Sequence, residues 1–407
     1  MRTSSRPDQR PTSEPLSFRP EHCPYPECPD HLVTDRSYRS VRCGFYSRLA
    51  EPHTIPRRRC RTCRRTFSSQ TFSPTYFLKR PENLLPVARQ LVNAGCDRHV
   101  RRTMRSNPRY APKPNAGAAG STVTRLIPRL AREAALFLAE LEEIAAARPS
   151  AREPVALDDF ETFAVTQLHQ VSVPTVVGRE TSYIYQIDQA PHRRGGKLTP
   201  AQRTAERKLL RAGRLPSPDA RRKAWRRVID ALLETTPPGR TLDCVSDGDK
   251  TLGAVLAEAG PRVRHRAFPN PQRGPKGSPR SQEARVRDRA MREVDHLHRW
   301  LRHSIAHDRR ETIAFARDVN ALLGRRLMFA VARNAIQARR ERDPDSGTPA
   351  MARGILDRPL SWDEILERRR FPRRIRALPP GWATCYSEEI PTLGKKPSRR
   401  RFPSFAR

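Results

Sequence analysis

Apolar positions along the chain follow a helical period first and a strand period later. Leu84, Leu85, Val87, Ala88, Leu91 and Val92 recur at helical spacing until Gly95 stops them. After a short turn Asp97 is placed to cap a second helix through about Met104, and Ser121 to cap a third beyond the Pro/Gly-rich stretch 106–120. In the third, Val123, Leu126, Ile127 and Leu130 line one face and Arg125, Arg129 and Arg132 another, with Pro128 expected to kink it. The apolar run from Ala134 continues to Ala147, and 148–150 reads as a boundary.

Beyond 150 the spacing becomes that of strands. Residues 154–161, 171–177 and 183–187 predict an antiparallel meander. Thr199-Pro200 and Ser217-Pro218 are cap-plus-first-turn helix starts, the second leading into Trp225, Val228, Ile229, Leu232 and Leu233 on one face. A strand at 241–246 running into the Asp247-Gly248 turn, a helix at 251–259 and a strand at 263–268 complete β-β-β-α-β-α-β, the element order of a ribonuclease H-like fold. Residues 284–314 carry a further helical pattern, and 321–336 predict a helix that covers the sheet or dimerises.

Charge narrows the class of partner. Among 407 residues, 79 Lys+Arg stand against 43 Asp+Glu, a net +36, which suits a polyanion and disfavours an ordinary metabolic enzyme. Only nine of the 79 are lysine, and guanidinium forks suit phosphate and guanine better than ammonium groups do. With 36% hydrophobic residues and 39 prolines, part of the chain is expected to be arm or linker: the first 20 residues and the basic run 395–407. No apolar run is long enough for a membrane span or a signal peptide, so the expectation is a cytoplasmic, nucleoid-associated protein.

Eight cysteines sit at 23, 28, 43, 60, 63, 96, 244 and 385. Cys23/Cys28 and Cys60/Cys63 are two close pairs 31 residues apart, the spacing of two knuckles closing one tetrahedral thiolate zinc site. Cys43 falls between them and is assigned no metal. A segment so poor in aliphatic residues depends on the metal to fold, and Arg58, Arg59 and Arg61 beside the second knuckle suit a DNA backbone.

Carboxylates at strand ends carry the candidate chemistry. The sheet order brings Asp158 on its first strand beside Asp247 at the tip of the fourth, where paired carboxylates are ligands for hard cations such as Mg²⁺ or Mn²⁺. Two metals so held activate an attacking oxygen and stabilise the leaving one. Asp159 points to the opposite face, and Asp249 is the weaker substitute for Asp247. His296, His298, His303 and His307 read as solvated or DNA-facing, and Trp300 as core.

From about 21 to 375 the chain resembles bacterial insertion-sequence DDE transposases with an N-terminal zinc ribbon and helix-turn-helix. The likeness lies in the four-cysteine ribbon with Arg58-Arg59-Cys60-Arg61-Thr62-Cys63 and Thr66-Phe67-Ser68, in Leu157-Asp158-Asp159-Phe160-Glu161, in Val245-Ser246-Asp247-Gly248, and in Arg310-Glu311-Thr312-Ile313-Ala314-Phe315. The resemblance implies a multidomain protein: an arm (1–20), a zinc ribbon (21–75), an all-α helix-turn-helix region (76–150), an α/β ribonuclease H-like catalytic domain (151–345) and a Pro/Arg-rich extension (346–407). It also implies a homo-oligomer on double-stranded DNA that cuts element ends and joins them to target with divalent metal. The third acid departs from a clean pattern. Asp295 stands where several such enzymes place a Glu, and Glu311 is the alternative; on one continuous helix the two would lie ~24 Å apart, so only one can serve. The competing readings are a catalytically inactive, transposase-derived DNA-binding regulator and a structure-selective nuclease.

Overall fold

The computed structural model describes residues 19–370 except 26, 34–36, 49, 51, 77, 79, 107–119, 148–152, 195, 213–215, 273, 276, 311, 313 and 369, together with 378, 382, 390 and 392. Within these residues the chain is a mixed α/β structure of eleven α-helices and two sheets. Residues 1–18 of the N-terminal arm, the basic run 395–407, Cys385 and Glu311 lie outside the described residues.

The N-terminal sheet is a three-stranded antiparallel meander of β1 (Ser40–Ser47), β2 (Thr54–Cys60) and β3 (Thr66–Ser68). Cys43 lies on β1. The small core of this unit holds Cys23, Cys28, Cys60 and Phe67, with Tyr25, Tyr38 and Cys63 packed against it. Aliphatic side chains are nearly absent from that core, as the sequence implied.

Helices α1 (Leu84–Leu91), α2 (Asp97–Ser106) and α3 (Gly120–Ala146) follow. Asp97 is the first residue of α2 and not its cap, since the Val100 N–H bonds the Cys96 carbonyl, and its carboxylate is ion-paired with Arg325. The third helix begins one residue before Ser121, and it runs unbroken through Pro128. Its apolar face is as predicted: Val123, Leu126, Ile127 and Leu130 are all buried. These helices share one contiguous core with the larger sheet, so residue 150 marks a change of period and not a gap in packing.

The larger sheet is built from β4 (Val155–Phe163), β5 (His169–Gly178), β6 (Ile184–Ile187), β7 (Ala190–Arg193), β8 (Leu242–Ser246) and β9 (Val263–Ala267). Its order is β6-β5-β4-β8-β9. The pairs β4–β5 and β5–β6 are antiparallel, whereas β4–β8 and β8–β9 are parallel. The short β7, not foreseen, takes the first half of the β5 edge while β6 takes the second.

Between β7 and β8 run α4 (Pro200–Arg211), opened by the Thr199 capping box, and α5 (Ala220–Glu234). The latter starts two residues after the predicted Ser217-Pro218 signal, and Trp225, Val228, Ile229 and Leu232 are buried as expected. Asp249 caps α6 (Lys250–Glu258), its carboxylate accepting from the Leu252 N–H at 3.0 Å.

The helical pattern of 284–314 resolves into two helices and an irregular segment: α7 (Gln282–Ala290), a break at Met291, then α8 (Arg292–Ser304). The single long helix is therefore corrected, and its spacing argument for the third acid no longer applies. The predicted helix at 321–336 is α9 (Val319–Val331) with a wider turn over 332–336. Every residue from Leu322 to Val331 is buried, so α9 is a central element and offers no free face for dimerisation. Its crossing with α3 is close: a Cβ on Gly324 would come within 2.6 Å of the Ala131 Cβ. Past α9, Asn334 closes the β6 edge with its side-chain amide, donating to the Ile184 carbonyl and accepting from the Ile184 N–H, both at 2.9 Å. The short helices α10 (Pro349–Ala352) and α11 (Trp362–Glu367) add Trp362 and Ile365 to the core.

Candidate metal centres

Two separate constellations are built by these elements. The first is formed by the chain entering the small sheet and by the turn after β2. Cys23 and Cys63 Sγ are 3.7 Å apart, Cys28 and Cys60 Sγ 3.8 Å, and all four sulfurs lie within 4.8 Å of one another. Sulfurs bound at about 2.3 Å in a tetrahedron are separated by roughly 3.8 Å, so the group fits a metal such as zinc. Hydrogen bonds shape the cage from outside: Thr62 Oγ1 donates to Asp30 Oδ2 at 2.7 Å, and His31 Nδ1 meets the Cys23 carbonyl at 2.7 Å. Burial pushes the Cys23 and Cys28 thiols up, the latter to about 11. Against the effect of burial, hydrogen bonds from the backbone and from the other cysteines lower the Cys63 thiol instead. Cys43 stands outside the group.

Of the arginines assigned to DNA, Arg59, Arg61 and Arg125 are exposed. The others are engaged within the protein. Arg58 donates to the Ser40 hydroxyl and carbonyl, at 3.1 and 3.3 Å. Arg129 donates to the Pro74 carbonyl at 2.9 Å, and burial brings its guanidinium down to about 10. Arg132 donates to the Pro128 carbonyl at 3.3 Å. The helical stripe of arginines is thus only in part a surface, because α3 is covered on more than its apolar face.

The second constellation lies where the C-terminal end of β8 meets the first half of β4. Leu157 pairs with Ser246 in parallel register, so Asp158 and Asp247 follow side by side. Gly248 turns the chain away with φ +86°, a left-handed conformation that glycine adopts without Cβ strain. The Asp249 N–H donates to Asp247 Oδ1 at 3.1 Å. Burial first, and then the charge of Asp247, push the Asp158 carboxyl up to about 8. Two carboxylates so placed repel, and a cation between them removes the repulsion.

Asp159 turns to the other face, as the strand period requires. There it receives Trp225 Nε1 at 2.9 Å, Arg221 Nη2 at 2.6 Å and the Ser172 hydroxyl at 2.5 Å. Arg221 also binds Asp249 at 3.2 Å, which leaves Asp249 both as a helix cap and as an ion-pair partner and removes it as a substitute for Asp247.

Helix α8 lies across β4 and β5 on the Asp158 face, but Asp295 is ion-paired there with Arg287 from α7. Glu293 accepts from the Ser182 hydroxyl at 2.6 Å. The side chain that reaches Asp158 is His298, one turn beyond Asp295. Its Nδ1 is 3.5 Å from Asp158 Oδ2, and its Nε2 is 2.8 Å from Thr175 Oγ1. Only 14% of the His298 side chain is exposed, and burial with the nearby arginines lowers its imidazole to about 3.

His298 therefore corrects the reading of this helix's histidines as solvated. His307 does too, since its Nδ1 bonds the Ala314 carbonyl; His296 and His303 remain exposed. Trp300 is half-buried, with the Arg333 guanidinium 3.2 Å from its ring centre. The sequence did carry a signal for His298, because residues three apart share a helix face, so a helix that aims Asp295 at the sheet brings His298 close to it.

Among the described residues the four cysteines alone gather three or more ligand atoms within 4.8 Å. Asp158, Asp247 and Asp295 do not form such a group. No family model matches the chain, and no curated protein matches it. No helix among the described residues is long and apolar enough to cross a membrane.

Proposed function

We propose that this protein is a DNA transposase of the DDE type, binding element ends through its N-terminal modules and cutting and joining strands at Asp158 and Asp247. The observation that carries the reading is the pair of carboxylates where the end of β8 meets parallel β4, with Asp158 driven far above its usual range by burial and by its neighbour. A sheet with three antiparallel strands followed by two parallel ones supports a ribonuclease H-like catalytic domain. The four-cysteine cage with its three-stranded meander supports a zinc ribbon, and α1 to α3 a helix-turn-helix region. The net charge of +36 supplies the attraction to phosphate.

In this reading Asp158 and Asp247 hold Mg²⁺ or Mn²⁺. Divalent cations held there would supply a nucleophilic oxygen at neutral pH and neutralise charge on the leaving oxygen. The chain's own part is to orient the two carboxylates. The Asp159 N–H fixes Asp158 Oδ1 at 2.8 Å, the Asp249 N–H fixes Asp247 Oδ1, and Arg221 with Trp225 holds Asp159 on the opposite face of the sheet.

The test is nicking and joining of plasmid DNA bearing the element's own ends by the zinc-loaded full chain. Activity requires Mg²⁺ or Mn²⁺, and Asp158→Asn and Asp247→Asn each abolish it while zinc content and DNA affinity are retained. Cleavage without dependence on the ends identifies a nuclease instead. The ion pair of Asp295 with Arg287 favours a second reading, a transposase-derived DNA-binding regulator. That reading is supported if no metal produces nicking although the ends are bound.

A further inference from the structure

The geometry points to His298 as the metal ligand that α8 contributes beside Asp158 and Asp247, in the place expected of an acid. This rests on the carboxylate pair being a divalent-cation site, as proposed above.

The hydrogen bonds around the imidazole orient its lone pair. The Thr175 hydroxyl donates its single proton to the Asp158 carbonyl at 2.7 Å. Thr175 Oγ1 can then only accept from His298, so the 2.8 Å contact places the ring proton on Nε2. In the neutral ring Nδ1 is left with a bare lone pair, and it faces Asp158 Oδ2 at 3.5 Å. Two acceptors turned toward each other inside a largely enclosed site repel unless a proton or a cation lies between them.

The pair stands between opposing charges: the Arg287, Arg302 and Arg326 guanidinium groups act on His298 from nearby, and carboxylates stand against them. Asp247 adds a second carboxylate beside the first, while Phe160 packs its ring against the imidazole with centroids 5.3 Å apart and holds it edge-on. Thr175 is a polar residue in an otherwise apolar stretch of β5, and its hydroxyl ties β4 to α8 through the two contacts just described. An outer partner that fixes the tautomer and orientation of an imidazole is the usual companion of a metal-ligating histidine.

Donors about 2.0–2.2 Å from one cation can be separated by 3.5 Å, so Asp158 and His298 form the preformed half of the site. Asp247 stands beside them at the start of the turn, its Oδ1 accepting from the Asp249 N–H at 3.1 Å, and would be drawn in by a bound cation. Asp295 remains in its ion pair with Arg287 and holds α7 against α8. A nitrogen ligand also shifts preference from Mg²⁺ toward Mn²⁺ and softer first-row ions.

The experiment uses the full zinc-loaded chain and Mn²⁺ as probe, with pulsed electron paramagnetic resonance to detect ¹⁴N coupled to the bound ion. The expected result is stoichiometric Mn²⁺ binding beyond the zinc site, with an imidazole nitrogen signal that His298→Asn abolishes and an affinity lowered about tenfold or more. Bound Mn²⁺ that is lost in Asp158→Asn and Asp247→Asn but shows no nitrogen coupling in the native protein overturns the assignment of His298 and leaves the carboxylate site standing. Absence of Mn²⁺ binding overturns both. Should His298→Asn fail to fold, the native spectrum still decides.

Discussion

Trp225 Nε1 of α5 donates to Asp159 Oδ2 at 2.9 Å, through the face of the sheet opposite to Asp158. Adjacent aspartates on β4 thereby have separate tasks. Asp159 is enclosed by an indole, a guanidinium and a hydroxyl, and Asp158 by a second carboxylate and an imidazole.

Asp159→Ala leaves Arg221 and the Trp225 N–H without their buried acceptor and is expected to cost about 3–5 kcal/mol of stability. Asp158→Asn, which relieves repulsion, is expected to leave stability unchanged or raise it. Urea unfolding of the two variants side by side checks the contrast; equal losses would mean that the two carboxylates share one structural role.

Removing metal from the cysteine cage is expected to unfold the N-terminal sheet and spare the rest, because the small core has few contacts besides the four cysteines. The native chain is expected to retain zinc through purification and Cys63→Ser to lose it, with amide exchange over 40–68 becoming fast while β4 and β5 stay protected. Structural zinc contributes roughly 10–16 kcal/mol to units of this kind, enough to stabilise so small a core.

The arginines divide by what they touch. Arg59→Ala and Arg61→Ala are expected to weaken binding to all DNA sequences alike and each to reduce the salt dependence by about 0.9 in the slope of log affinity against log salt. Arg129→Ala should instead lower stability, since its guanidinium is buried and spent on the Pro74 carbonyl. Titrations of the three variants at several salt concentrations separate the groups.

His307 gives a pH dependence of definite sign. Burial and neighbouring Arg325 hold its imidazole down to about 4. Between about 6.5 and 4 the unfolded chain takes up a proton that the folded chain refuses, so stability is intact above about 6.5 and is lost as pH falls, by about 1.4 kcal/mol per unit. His307→Asn removes this contribution. The stability difference between the native chain and that variant is expected to move against the native chain from pH 6.5 to pH 4.5.

The α3–α9 crossing tolerates no side chain at Gly324, so Gly324→Leu is expected to cost about 1–3 kcal/mol or more by overpacking. Gly253 on α6 has open space around its would-be Cβ, and Gly253→Ala serves as the control with little change or a small gain in thermal stability.

Much of this protein follows from local chemistry that the sequence by itself determined. Two cysteine pairs at knuckle spacing became one cage, because ligand type and count leave few other arrangements. The alternation along β4 separated Asp158 from Asp159, and the Asp247-Gly248 turn ended β8 where a strand period and a glycine said it would. Helix faces on α3 and α5 were legible for the same reason, since burial follows the 3.6-residue period.

What only the tertiary structure decided is how elements distant in sequence meet. Arg129 and Arg58 read as free cations until Pro74 and Ser40 were seen beside them. The break at Met291 set the rotation of α8, and that rotation gave Asp295 to Arg287 and His298 to Asp158. A one-dimensional pattern fixes which residues share a face, but the angle at which that face is laid on a sheet comes from packing over the whole core.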